Sequence, residues 1–257
     1  MPEIKDSNAI IIGASHGMGL ETAKLLVSRG ANVIITGRHA DSLQSAKEQL
    51  GDKATTHQID ISSSEERKNL PKVVTATFGE QKPLDLIYVN AAHARFAPFL
   101  EYPEDILRRT IETNFIAPFM IVQSLVPLLK DGGAIVFTTS ISNVRGFPGM
   151  SAYSASKAAI QSLVETMAAE LASRRIRVNT VSPGFIRTPD PNVLDFPKEV
   201  LPGLDAYGVS ITPMERLGEP IEVAKAVVYL GYDATFTTGS ELVVDGGLTA
   251  AVKPAKA

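Results

Sequence analysis

The stretch Ile10-Ile11-Ile12-Gly13-Ala14-Ser15-His16-Gly17-Met18-Gly19 decides the fold. A short run of β-branched residues reads as a buried strand, and the glycines that follow end it in a tight turn. Leu20–Ser28 then carries apolar residues at helical spacing, so a helix starts at once. Strand, glycine turn and helix N-terminus together make an anion site. The first N–H groups of a helix have no intrahelical partner, and its dipole puts partial positive charge there. Gly13, Gly17 and Gly19, with Ser15, His16 and Met18 between them, are therefore the expected cradle of a dinucleotide pyrophosphate. A glycine pattern alone marks only a turn, and its place in a first strand–helix unit gives it weight.

Outward from this unit, short apolar runs alternate with amphipathic stretches. The expected strands are Ala9–Ile12, Asn32–Thr36, Ala54–Gln58, Leu84–Val89, Ala134–Thr138, Ile176–Val181 and Leu242–Val244. The expected helices are Leu20–Ser28, Leu43–Leu50, Glu65–Phe78, Ile116–Leu129, Ala152–Ser173 and Ile221–Tyr229. Parallel neighbours need crossover connections, so this alternation implies an α/β fold with a doubly wound parallel sheet, Rossmann-like, in one domain over residues 1–257. One long stretch, about 184–212, is expected to be irregular because Pro183, Pro189, Pro191, Pro197 and Pro202 break helix and strand alike. A loop of that length in a compact domain reads as a substrate loop.

A formal net charge of −3 offers no attraction for nucleic acid, and no Lys/Arg run forms a phosphate-tracking stripe. The absence of Cys excludes disulfides, zinc–thiolate sites and thiol catalysis, and no metal is expected. No signal-peptide pattern and no stretch near the ~20 apolar residues of a membrane span are read, so a cytoplasmic protein without membrane partner is expected.

The second strand ends Ile34-Ile35-Thr36-Gly37-Arg38. An acid at this point would accept the ribose hydroxyls of NAD, whereas NADP needs room and a cation for its 2′-phosphate. Gly37 and Arg38 fit NADP(H), the guanidinium fork matching phosphate oxygens, although Arg38 taken alone would pass for a solvated surface residue. Asp60 reads equally as a partner of the adenine amino group and as a turn acid.

Tyr153 and Lys157 lie four residues apart at the start of an Ala-rich helical stretch, hence on one face. A phenol working near neutral pH needs its ionised form favoured, and a neighbouring ammonium does this. A Tyr-x-x-x-Lys pair alone is usually structural, so its company matters.

In these residues the chain resembles the short-chain dehydrogenase/reductase family over nearly its whole length. The family's glycine motif matches Gly13, Gly17 and Gly19, its Tyr and Lys match Tyr153 and Lys157, and its Ser matches Ser140, thirteen residues before Tyr153. Its Asn matches Asn114. Asn179–Gly184, Thr238-Gly239 and Asp245-Gly246-Gly247 resemble further family signatures. The resemblance implies that Ser140 hydrogen-bonds the substrate oxygen, Tyr153 transfers the proton, Lys157 binds the nicotinamide ribose and favours the phenolate, and Asn114 holds a water beside Lys157. It extends the cofactor contacts to Ile61, Asn90, Ala91, Pro183, Gly184, Ile186 and Thr188. It also implies a homo-oligomer, a tetramer, acting on a small-molecule carbonyl or alcohol.

The chain departs from the pattern in three places. Ile12 and Val89 stand where the family has Thr and Asn, on strands expected to be neighbours, so packing is expected to replace a polar contact between them. Ala92 replaces a Gly. His93 follows, and is expected to be an ordinary loop residue because Tyr153 already supplies the acid. A rival reading is 3-oxoacyl-thioester reduction, which calls for cations at the mouth of the site, such as Arg95, Arg145 and Arg187. A rival of another class is a non-catalytic dinucleotide sensor.

Overall fold

The computed structural model describes residues 3–187 and 201–251. Each expected strand forms: β1 (Asn8–Ile12), β2 (Asn32–Gly37), β3 (Ala54–Gln58), β4 (Leu84–Val89), β5 (Leu129–Thr138), β6 (Arg177–Pro183) and β7 (Glu241–Val244). They lie in the order β3-β2-β1-β4-β5-β6-β7, and every pairing is parallel. This is the expected doubly wound Rossmann-like sheet. The winding reverses between β1 and β4, so the connections leaving their carboxyl ends part to opposite faces and open a crevice there.

Strand side chains alternate between two helical layers. Ala9, Ile11, Val33, Ile35, Leu86, Tyr88 and Val136 face one core with α1 (Gly17–Ser28), α2 (Ala40–Leu50) and α9 (Pro220–Val228). Ile10, Ile12, Ile34, Ile87, Val89, Ile135 and Phe137 face the other, with α4 (Leu70–Phe78), α6 (Ala117–Leu125) and α7 (Ser151–Glu170). Because both faces are covered, β1 from Ala9 and β5 from Ala134 to Phe137 read as unbroken apolar runs. Ile12 and Val89 are partners in the β1–β4 register and are both buried, so packing does occupy that position.

Local rules explain where the elements differ from expectation. The helix expected over Glu65–Phe78 splits into α3 (Ser64–Arg67) and α4, because Pro71 cannot donate to the Arg67 carbonyl and its ring crowds it. The helix expected from Ile116 is preceded by α5 (Glu104–Ile111) and a π-turn, Glu112–Ile116. Few apolar residues mark α5, but Glu104 and Asp105 in its first turn and Arg108 and Arg109 in its last suit the helix dipole. The end of the stretch expected to be irregular is α8 (Leu201–Ile211). Contrary to expectation, the helical run Glu104–Leu128 is long enough, and its most apolar 18-residue window, of mean hydropathy 1.3, apolar enough, to cross a membrane. Ala117, Ile121, Val122 and Leu125 spend part of that apolar surface on the sheet.

Candidate active site

A cavity of about 1350 Å³ opens along the carboxyl ends of the strands. Gly13, Ser15, His16, Gly17, Met18, Gly37, Arg38, Asp60, Ile61, Asn90, Ala91, Pro183, Gly184 and Ile186 all line it, as do Ser140, Tyr153 and Lys157. Gly19 and Asn114 are not on its wall, and Thr188 lies outside the described residues.

The glycine turn is shaped by close approach. Gly13 has φ +84°, and a Cβ there would meet Ala91 at 2.7 Å; a Cβ on Gly19 would meet the Gly13 carbonyl oxygen at 2.2 Å. Gly19 thus acts beneath the cradle, letting α1 start directly under the turn. The Ala14 N–H donates to the Thr36 carbonyl at 2.9 Å, fastening the turn to β2. Its other fastening comes from the opposite side. The Asn90 amide donates to the Gly13 carbonyl at 2.7 Å, so Asn90 positions the turn with its side chain.

At the β2 end, Asp60 accepts from the Ser62 N–H at 2.9 Å and the Ser62 hydroxyl at 2.7 Å, the geometry of a turn acid. Burial pushes its pKa up, but the Ser62 hydrogen bonds and the charges of Arg38 and Arg109 outweigh that and hold it below the ordinary value. Arg109, on α5, and Ser42, on α2, join Arg38 on the cavity wall. Neither was visible in the sequence, because nothing before folding shows that α5 approaches the end of β2. Two guanidinium groups and one carboxylate leave this end cationic, which suits a phosphate-bearing ribose.

At the other end, Ser140 follows β5 and Tyr153 and Lys157 open α7. Tyr153 is hydrogen-bonded to Ser140, whose hydroxyl also accepts from the Ser142 N–H at 3.2 Å. Lys157 Nζ donates to the Thr138 carbonyl at 2.8 Å and lies 5.5 Å from the Tyr153 ring centroid. Burial pushes the Tyr153 phenol up to about 12 against the pull of that hydrogen bond, and burial lowers Lys157 to about 8. Without a bound cofactor, desolvation drives both groups toward their neutral forms. At neutral pH the phenol keeps its proton and acts as a donor, beside an ammonium that is still mostly charged. A carbonyl oxygen set against Ser140 and Tyr153 would accept two hydrogen bonds and then the phenolic proton. When bound, a nicotinamide dinucleotide supplies or removes the hydride. The protein's share is orientation, charge and the proton.

Asn114 is buried in the π-turn, a kind of helical irregularity frequent at functional sites. Its amide donates to the His93 carbonyl at 2.8 Å and to the Ser156 hydroxyl at 3.0 Å, and its oxygen accepts from the His93 N–H at 2.7 Å. The side chain thus fixes the segment after β4 and ties it to α7. His93, expected to be a loop residue, is buried and its Nδ1 lies 3.0 Å from the Thr110 hydroxyl.

Tyr88 is a participant that sequence reading passed over as strand core. Its hydroxyl donates to Asn90 Oδ1 at 3.0 Å and shares a hydrogen bond with the Thr138 hydroxyl at 2.9 Å. One phenol thereby joins the residue that holds the Gly13 turn to the residue whose carbonyl holds Lys157. Of the three expected mouth cations, Arg145 donates to the Leu248 carbonyl at 2.6 Å and Arg187 pairs with Glu219 at 3.0 Å.

A dinucleotide crevice continuous with a Ser–Tyr–Lys proton-transfer group defines an oxidoreductase. The family model described as enoyl-(acyl carrier protein) reductase matches residues 13–249. The chain is similar to a cyclohexanol dehydrogenase of an Acinetobacter species, 35% identical over 94% of this chain and 94% of that protein. It is also similar to a 3-oxoacyl-(acyl-carrier-protein) reductase of Chlamydia trachomatis, 33% identical over 95% and 97%. Among solved structures it resembles a short-chain dehydrogenase/reductase of Brucella melitensis described as glucose/ribitol dehydrogenase. That match has TM-score 0.88 and 30% identity, and covers 97% of this chain and 99% of that one. The chain belongs to the short-chain dehydrogenase/reductase family, whose members use NAD or NADP.

Proposed function

We propose that this protein is an NADP(H)-dependent reductase of carbonyl groups, running reversibly between ketone and alcohol. The observation that carries the reading is the meeting of Ser140, Tyr153 and Lys157 on one cavity wall, with the phenol held protonated by burial. The choice of NADP(H) rests on Gly37, Arg38 and Arg109 at the far end of the same cavity.

Following absorbance at 340 nm with NADPH and a carbonyl panel tests it. Turnover that disappears in Tyr153→Phe, with cofactor affinity little changed, supports the reading, since the phenol acts on substrate oxygen in the transition state. Tight NADPH binding without turnover on a broad panel would favour the dinucleotide sensor instead. The 3-oxoacyl-thioester reading draws support from the Chlamydia relative, but the engaged Arg145 and Arg187 weaken the cationic mouth it calls for.

The same reading makes the protein a cytoplasmic homotetramer without nucleic-acid or membrane partners. In support, Leu107, Ile116, Phe119 and Met120 leave an apolar patch on the α5–α6 run, and the charges in the first half of that run favour an interface between copies over a bilayer.

A further inference from the structure

The substrate end of the cavity carries aromatic rings that neither the cofactor nor the proton-transfer group uses. Phe147, Phe185 and Tyr207 form a row. The Phe147 and Phe185 centroids are 5.9 Å apart at 85°, and those of Phe185 and Tyr207 are 6.0 Å apart at 82°. Phe96 and Met150 join them on a wall that is continuous with Ser140 and Tyr153.

Glycines back two of these rings. A Cβ on Gly149 would strike Phe96 Cδ1 at 2.5 Å, and one on Gly208 would strike Phe185 Cδ1 at 2.7 Å. Phe96 and Phe185 therefore lie against bare backbone with little room to retreat, so that part of the wall is formed before any ligand arrives. Edge-to-face geometry between neighbours leaves ring faces and edges to meet a further ring, the arrangement aromatic groups prefer.

The charges at this end do not favour an anion. Arg187 is paired with Glu219, Arg145 is directed to the Leu248 carbonyl and stacks on Phe147, and the Asp205 carboxylate is on the wall. A carboxylate or phosphate here would meet an acid and no uncommitted cation among these residues.

From this wall we infer that the protein reduces uncharged ketones bearing a ring directly beside the carbonyl, with Phe147, Phe185 and Tyr207 as the subsite for that ring. The inference rests on the carbonyl-reductase reading. The carbonyl carbon gains a hydride from the reduced nicotinamide, which is thereby oxidised. The carbonyl oxygen gains the Tyr153 proton, which solvent replaces, and a secondary alcohol leaves.

The test compares acetophenone with 2-octanone, which has the same number of carbons but no ring, and with the acetoacetyl thioester of N-acetylcysteamine. Turnover with NADPH is measured alongside binding by saturation-transfer NMR. Acetophenone should exceed 2-octanone by roughly tenfold in kcat/KM, the size expected of ring–ring contacts beyond hydrophobic area. Phe185→Leu should remove most of that advantage through KM, leaving 2-octanone within about threefold. Tyr207→Leu, at a half-exposed helix position, repeats the test without risk to the core. Preference for 2-octanone or the thioester would overturn the ring subsite while leaving the reductase reading intact. Binding of acetophenone that depends on Phe185 without turnover of any ketone would uphold the subsite and sink the reductase reading. Neither binding nor turnover would overturn both.

Discussion

Replacing Lys157 with Met should abolish activity and, in the cofactor-free protein, remove a specific dependence of stability on pH. Lys157 is 2% exposed, and burial lowers its pKa from 10.5 to about 8. The unfolded chain keeps that proton to near its ordinary value. Between pH 8 and 10 the unfolded state therefore binds one proton more than the folded state, and stability rises with pH. Below pH 8 both states are protonated and the full penalty of the buried ammonium stands. The difference 10.5 − 8 is about 2.5 units, or roughly 3 kcal/mol at 1.36 kcal/mol per unit. Met fills similar space without charge but leaves the Thr138 carbonyl without the 2.8 Å bond from Nζ, at a cost of about 1–3 kcal/mol. The two effects nearly cancel, so at pH 7 the proteins should agree within about 2 kcal/mol. Between pH 8 and 10 the wild type should gain about 2–3 kcal/mol relative to the variant. Above pH 10 the sign changes in both, because Tyr153 is raised to about 12 and the unfolded phenol ionises first. Urea unfolding of the two apo proteins at equal protomer concentration, in steps from pH 7.5 to 10, measures this. A constant difference across that range would refute the argument that Lys157 sits in a desolvated site.

Tyr88→Phe removes the hydroxyl shared by Asn90 and Thr138 and should cost about 1–2 kcal/mol, or roughly 2–6 °C in Tm. It should raise the cofactor KM more than it lowers kcat, because Asn90 fastens the Gly13 turn; unchanged Tm and KM would refute that link. Arg38→Ala should reduce the preference for NADPH over NADH in kcat/KM by about ten- to a hundredfold, as expected for one charge-assisted hydrogen bond. Gly37→Asp should shift preference toward NADH, with Ser15 yielding slightly because a Cβ at Gly37 would sit 3.2 Å from it; a wild type that prefers NADH would refute both. Light scattering should give a tetramer that Phe119→Lys dissociates, and a wild-type monomer at micromolar concentration would contradict the assembly proposed from the apolar α5–α6 patch.

What could be read from the sequence was whatever local spacing dictates. The glycine turn, the one-faced Tyr153–Lys157 pair and the short β-branched runs of the strands depend on near neighbours, and the structure keeps them together. What escaped depends on distant segments meeting. Tyr88 looks like any buried strand residue until Asn90 and Thr138 come within reach of its hydroxyl. Arg109 belongs to a polar helix whose approach to Asp60 only the fold decides. The chemical partnership of Tyr153 and Lys157 was legible, but not the burial of both groups, because desolvation is a property of the packed interior. Pro202 and Gly203 hid α8 behind residues that usually break helices.

The π-turn at Glu112–Ile116 has a consequence for how the chain tolerates changes in length. Such a turn is a helix holding one residue more than its hydrogen-bond ladder can pair. Deleting Thr113 would let α5 and α6 run together as one regular α-helix, a local improvement by hydrogen-bond count. Each residue of a helix advances about 100° and 1.5 Å, however, so the deletion would turn α5 by more than a quarter of a revolution against α6. Thr110 would swing away from His93, and Glu112 would lose Arg67, now 2.6 Å away. The position of the segment after β4 is therefore encoded in a residue count rather than in any one side chain. A chain one residue shorter at this point would make a better helix and a poorer enzyme.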